Sequence, residues 1–197
     1  MEGTKPVNKK LAAALSGGAV LVLALSGCGS SDDGNDKLDS WAKQVCDAVK
    51  PQAQKIEAAN AAIQKQTSDN SAPDAVQNTD AQAFQDMSDA YKAIGSAVDN
   101  AGAPNVDGGK TKQTNAVKEL NDISASYAKL KAQVDKLDTK DQAKFADGLK
   151  DIATQLDKLS QSGNDALKKL EEGEVGQAMA QQTSCKSASG SPATAKG

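Results

Sequence analysis

Residues 84–104 read FQDMSDAYKAIGSAVDNAGAP, and the fold class follows from this stretch. From Phe84 to Ala101 its apolar residues recur in alternating steps of three and four. That period places them along one face of an α-helix, which buries the face against other elements. Gly102 and Pro104 then interrupt the pattern, as a glycine cap followed by a proline does at the end of a helix.

Three other stretches have the same spacing. They comprise residues 38–63, about 112–136 and 145–170. Pro51 lies inside the first and removes a backbone donor, so we expect a kink or a brief break there. Residues 137–139 alone separate the third predicted helix from the start of the fourth, so these two helices should form antiparallel neighbours. The sequence predicts an all-α, up-down-up-down four-helix bundle with a kinked first helix and a short extra C-terminal helix around Val175 and Met179.

Two short patterns predict where the second and fourth helices begin. Thr79 with Gln82, and Thr139 with Gln142, have the spacing of a capping box. In that motif the hydroxyl accepts a hydrogen bond from a free amide of the first turn. We therefore expect these helices to start near Thr79 and Thr139.

Residues 1–27 have the features of a leader for export. Three lysines precede an apolar run at 11–25, which is shorter than the roughly 20 residues needed to cross a bilayer. The run ends in Leu-Ser-Gly-Cys at 25–28, which resembles the lipobox of bacterial lipoproteins, where the cysteine is acylated and becomes the first residue of the mature chain. We expect Cys28 to carry the lipid, with palmitate among its acyl chains. The alternative is an ordinary signal peptide that happens to end near a cysteine.

The mature chain divides into three segments by composition. Residues 28–37 are polar after the cysteine and predict a flexible tether. Residues 38–185 carry the helical pattern and predict one bundle domain. Residues 186–197 have the composition of a disordered tail.

The other two cysteines predict a disulfide. With Cys28 occupied by lipid, Cys46 and Cys185 remain in a chain exported to an oxidising compartment, where such a pair usually bridges. In an up-down-up-down bundle the end of the fourth helix lies beside the start of the first, so both cysteines should lie at one end. The alternative is two free thiols.

Missing residue types exclude several classes of function. The chain has no histidine, and all 23 of its basic residues are lysines. It therefore lacks an imidazole base, a histidine metal site and the bidentate guanidinium that binds phosphate. A net charge of −3 and only five aromatic residues argue against nucleic-acid binding. Acidic pairs on the predicted helices, such as Asp86 with Asp89, suit solvated faces better than a catalytic cleft, so we expect no enzyme, no metal and no cofactor.

One loop has a distinct composition. Residues 102–109 (GAPNVDGG) combine turn formers with an apolar side chain, Val106. One interpretation is that Val106 covers the end of the bundle. The other is that the loop, through Pro104 and Val106, recognises a partner.

Several of these motifs occur together. The lipobox, Trp-Ala-x-x-Val-Cys-Asp at 41–47, Gly-Ala-Pro-x-Val at 102–106 and a single late cysteine resemble the small secreted lipoproteins of actinobacteria. The resemblance covers most of the mature chain. It implies no activity and no binding residue, because no function is assigned to that group.

The sequence as a whole favours a membrane-anchored protein without enzymatic activity. We expect a lipoprotein on the extracytoplasmic face of the cell membrane whose bundle binds or scaffolds an envelope protein. The alternative is a solute-binding lipoprotein with a cavity between its helices. A core packed to normal density would leave no room for a solute.

Overall fold

A computed structural model describes residues 33–68, 71–162 and 165–189, and these ranges form helices without any strand. The seven helices are α1 (Asp33–Ser68), α2 (Pro73–Ala101), α3 (Gly109–Val134), α4 (Gln142–Ser162), α5 (Asp165–Glu171), α6 (Glu174–Gln181) and α7 (Thr183–Ser189). The predicted all-α class is confirmed. The expected leader, with Cys28, lies outside the described residues.

One apolar cluster fills the end of the bundle that holds the loop 102–109, which we call the loop pole. It joins the first turns of α1 to the end of α2 and the start of α3, and α5, α6 and α7 close it. Its buried members include Trp41, Leu120 and Val175. Because the start of α1 meets the end of α2, these two helices are antiparallel.

A second cluster fills the opposite end, which holds the turn 135–141 between α3 and α4 and which we call the turn pole. Here the second half of α1 meets the first half of α2, the end of α3 and α4. Phe84, Met87 and Val134 are buried at its centre. The long helices α1, α2 and α3 thus serve both clusters, while α4 contributes to one and α5–α7 to the other.

Small residues let α2 and α3 approach closely. The Ser88 hydroxyl donates to the Ser124 carbonyl at 2.9 Å, and the Ser124 hydroxyl donates to the Ser88 carbonyl at 2.8 Å. Both serines are buried, so each hydroxyl replaces a bond to water with one across the interface. About two turns further along α2, Gly95 lies so near Leu120 that an added Cβ would be 3.4 Å from the Leu120 Cβ.

Side chains from neighbouring helices satisfy the free carbonyls at helix ends. Gln77 of α2 donates to the carbonyls of Val134 and Leu137 at 2.8 and 2.9 Å, at the end of α3. Gln113 of α3 does the same for α2, donating to the Asp99 carbonyl at 3.1 Å. Since the last carbonyls of a helix have no partner within it, these bonds fix each helix end to its neighbour.

Both predicted capping boxes are wrong. α2 begins at Pro73, where the absent N–H costs nothing, so Thr79 and Gln82 lie inside the helix. At α4 the cap is Asp141, whose carboxylate accepts bonds from two backbone amides of the first turn, both at 3.1 Å. Those amide bonds and the nearby Lys144 lower the pKa of the Asp141 carboxyl.

The predicted segment boundaries also change. α1 starts at Asp33, so the last five residues assigned to the tether 28–37 are helical. α1 continues through Pro51 without a break, because Pro51 is exposed while residues on either side pack on the two clusters. α7 runs to Ser189, four residues into the segment 186–197 that was predicted to be disordered.

The fourth stretch, 145–170, was predicted as one helix and is instead divided between α4 and α5. α4 packs beside α3 at the turn pole, whereas Leu170 of α5 joins the loop-pole cluster. The short extra helix expected around Val175 and Met179 is present as α6.

Candidate functional site

A disulfide ties α7 to α1 at the loop pole. The Sγ atoms of Cys46 and Cys185 are 2.05 Å apart, and both side chains are buried. These are the two cysteines that were predicted to pair. The bond closes a sequence separation of 139 residues, which is nearly the whole domain.

A polar contact beside the disulfide joins the same two helices. The Ser184 hydroxyl donates to the Asp47 carboxylate, which also pairs with the Lys43 ammonium at 2.5 Å. The hydrogen bonds from Lys43 and then Ser184 lower the pKa of the Asp47 carboxyl. The Lys43 and Asp47 side chains are solvent-exposed, so the contact adds specificity to the pairing of α1 with α7 more than it adds stability.

The loop 102–109 is bound to the core. The Trp41 indole N–H donates to the Gly102 carbonyl at 2.8 Å, and the Val106 amide donates to the Pro104 carbonyl at 2.8 Å. Gly102 and Gly108 have φ angles of 75° and 70°, a conformation that glycine adopts without strain.

The two residues predicted to contact a partner through this loop are turned toward the protein. Pro104 is buried, and Val106 is half-buried against the loop-pole cluster. The structure therefore favours the interpretation in which Val106 covers the end of the bundle. The exposed side chains of the loop are those of Ala103, Asn105 and Asp107.

Two open depressions lie on the surface near the loop pole. One is small and polar, between Asn105, Asp107 and Glu174. The other is a groove between α1 and α2, lined by Ala48, Ala93 and Ala97 with polar residues at its edges. Both are open to solvent, and neither is enclosed between helices, as the cavity of a solute receptor would be.

Two carboxyl groups have pKa values raised by burial, and sequence analysis missed both. Burial raises the pKa of Asp80 to about 6 and that of Glu171 to about 7. Asp80 is only 8% exposed and continues the apolar stripe of α2, four residues before Phe84, which is the signal that could have revealed it. Asp80 lies at the turn pole and Glu171 at the loop pole, so the two cannot act as one acid–base pair.

Several acidic side chains lie on the outer surfaces of the helices. Asp89, Asp147 and Asp151 are exposed on helix surfaces. Within the described ranges, no group of three or more acidic or cysteine side chains is arranged to hold a metal ion.

The five aromatic side chains are buried or half-buried. Tyr91 and Tyr127 stack with ring centroids 5.5 Å apart, and Phe84 meets Tyr127 at 6.1 Å. Burial raises the pKa of both tyrosines. Trp41 and Phe145 are each 5% exposed, so neither offers an exposed ring face for a ligand.

The chain matches no protein-family model, no curated protein and no solved structure. None of the helices in the described ranges is apolar over a length that could cross a bilayer. The function is therefore inferred from the residues of this chain alone.

Proposed function

We propose that this protein is a lipoprotein of the extracytoplasmic membrane face, held by acyl chains on Cys28, whose helical domain binds or scaffolds an envelope protein without catalysing a reaction. The observation that carries the proposal is the buried Cys46–Cys185 disulfide, which closes the domain near its two ends. Disulfides of this kind form and persist in exported proteins and are rare in the cytosol. The apolar run and Leu-Ser-Gly-Cys at 25–28 supply a route for that export.

The chemistry of the domain supports a binding role. Histidine and arginine are absent, and the two carboxyls with raised pKa values lie at opposite poles. Catalysis at neutral pH usually needs an acid and a base of matched pKa close to one substrate. A rigid helical surface needs no such groups to bind another protein.

We further propose that the helices form an up-down-up-down bundle in which α5, α6 and α7 complete the fourth position where α4 ends. The two clusters support this arrangement, because α4 packs at the turn pole and α5–α7 pack at the loop pole. A bundle filled in this way leaves little room for the solute cavity that the alternative function requires.

Replacement of Cys28 by Ser tests the anchor. In cells grown with labelled palmitate, the parent protein should carry the label and sediment with membranes, while Cys28→Ser should lose the label and be released or remain unprocessed. Ser31→Ala, three residues away, is the matched control and should behave like the parent. Normal processing and membrane retention of the unlabelled Cys28→Ser protein would contradict the proposal.

The binding role is tested separately by crosslinking on intact cells. A photo-crosslinking residue placed at an exposed position of the domain should capture one envelope protein reproducibly, and the Cys28→Ser protein should capture less of it. Purification of the domain with a stoichiometric small molecule would instead favour the solute-binding alternative.

A further inference from the structure

We infer that the loop pole faces the membrane and that the turn pole points away from it. This inference rests on the proposed lipidation of Cys28. It adds a direction to that proposal, and it is drawn from chain length, helix topology and charge.

The first argument is the short distance between the anchor and the domain. Cys28 precedes Asp33, the first residue of α1, by five residues. At no more than about 3.6 Å per residue, the start of α1 lies within about 18 Å of the lipidated residue. α1 itself has 36 residues and is about 54 Å long, so its far end can stand well clear of the surface.

The second argument is the rigidity of the loop pole. Cys46, on the same continuous helix, is bonded to Cys185 of α7, and Trp41 holds the loop 102–109 through Gly102. The Lys112 ammonium at the start of α3 donates to the Lys169 carbonyl of α5 at 2.9 Å. The start of α1 therefore cannot approach the membrane without bringing the loop and the helices around it.

The net charge of the mature chain affects whether the domain stands upright on the membrane or lies flat. The chain has 23 lysines and 26 acidic residues, and the leader contains Lys5, Lys9, Lys10 and Glu2, which leaves 20 against 25 and a net charge of −5. Attraction to anionic lipids requires an excess of basic residues near the surface, at about 1 kcal/mol for each. The net charge of the mature chain therefore provides no overall attraction that would hold the domain flat on such a membrane.

This orientation places the loop that was predicted to recognise a partner at the membrane surface. The loop that contains Pro104 and Val106 would face lipid headgroups, and its exposed side chains would lie close to them. The turn 135–141 and the start of α2 would be the most distant parts of the domain. These are separated from the loop pole by the length of α3, which has 26 residues and is about 39 Å long.

Lysine reactivity can measure this direction without altering the domain. The full lipidated protein is reconstituted in vesicles of phosphatidylcholine with phosphatidylglycerol and is treated with a water-soluble amine-acylating reagent. The reactivity of each lysine is then compared with that of the same protein in detergent. Lys37 and Lys110 report on the loop pole, and Lys136 and Lys140 report on the turn pole; all four are exposed.

We expect the loop-pole lysines to lose reactivity by about threefold or more on vesicles, because the headgroup layer shields one side of them, while the turn-pole lysines keep theirs. Insertion of about twenty Gly and Ser residues between Ser31 and Asp32 supplies the matched control. That protein should stay on the vesicles but lose the difference between the poles, because a longer flexible tether frees the domain.

Three results would overturn the inference. Equal reactivity at both poles of the vesicle-bound parent would show that the domain has no preferred direction. Protection along one side at both poles would show that it lies flat. Failure of the purified protein to sediment with vesicles would reject the lipid anchor itself, and with it both proposals, whereas the first two results leave the anchor intact.

Discussion

Removal of the Cys46–Cys185 disulfide should destabilise the domain more than any other pair of substitutions. The bond closes a loop with a sequence separation of 139 residues. In the chain-entropy model, a loop of that length restricts the unfolded state by about 5 kcal/mol at 25 °C. For a domain of this size each kcal/mol changes Tm by about 2–4 °C, so loss of the bond should lower Tm by about 10–20 °C.

The assay is thermal unfolding followed by circular dichroism, with Cys28→Ser in every protein so that no other thiol is present. Cys46→Ala/Cys185→Ala is compared with the parent, and Ser184→Ala is the matched control. Ser184→Ala removes the contact with Asp47 but keeps the disulfide, and because that contact is exposed its loss should lower Tm far less than loss of the disulfide does.

Chemical reduction gives an independent measurement. Cys46 is fully buried and Cys185 is 7% exposed, so the folded parent should resist reductant, and the bond should become reducible only as the domain unfolds. A double variant that unfolds within about 3 °C of the parent would show that the bond does not restrict the unfolded chain as this model assumes.

Three further predictions concern the core. Burial raises the pKa of Asp80 to about 6, so the Asp80 carboxyl binds its proton more tightly in the folded state than in the unfolded state. The stability that the protonated carboxyl provides is therefore lost as the pH rises through 6. Asp80→Asn should therefore raise Tm at pH 7.5, by the equivalent of at most about 3 kcal/mol, and change it little at pH 4; the same change at both pH values would contradict the buried titration. An added Cβ on Gly109 would lie 2.1 Å from a backbone carbonyl of the loop, so Gly109→Ala should lower the free energy of unfolding in denaturant by about 2 kcal/mol or more. At Gly95 the nearest neighbours of an added Cβ are at 3.4 Å, so Gly95→Ala should be neutral or stabilising. Ser88→Ala and Ser124→Ala should each lower the free energy of unfolding by about 1 kcal/mol. Because each hydroxyl donates to the carbonyl of the other residue, a double-mutant cycle should show that the two losses are not additive. Strict additivity would argue against the paired geometry.

The local pattern of the sequence was enough to predict the long helices and most of the core. The steps of three and four around Phe84 and Val98 predicted α2, and the third stretch differs from α3 by only a few residues at each end. Trp41, Phe84 and Leu120 are buried as their positions on the stripes indicated. Periodicity succeeds here because it is a property of one helix, and any helix with an apolar face must bury it.

The cysteine pairing also followed from the sequence, although by a different route. With Cys28 expected to carry lipid, the other two cysteines leave one possible intramolecular bond, and the predicted order of the helices placed both at one end. The structure brings them to bonding distance through α7, a short helix whose residues from Lys186 onward had been assigned to the disordered tail.

Tertiary structure decided how the helix ends are satisfied, because the partners come from distant parts of the chain. Gln77 reaches the end of α3 across a separation of 57 residues, and Trp41 reaches Gly102 across 61. Such bonds leave no recognisable pattern in the local sequence. The Thr-x-x-Gln patterns are recognisable in the sequence, but they proved not to be caps. Local propensity is weak compared with packing, so a helix starts where the neighbouring elements allow it to start.

Tertiary structure also decided which polar and loop residues are buried. The sequence showed Asp80 as one acid among many and Val106 as an apolar residue in a loop, and only the packing around them showed that the first is enclosed and the second covers the core. Burial is a property of several elements together, since the atoms that exclude water from a side chain come from different helices. The same physical reason explains why composition and period determined the class of fold, while the raised pKa values and the orientation of the loop appeared only when the helices were assembled.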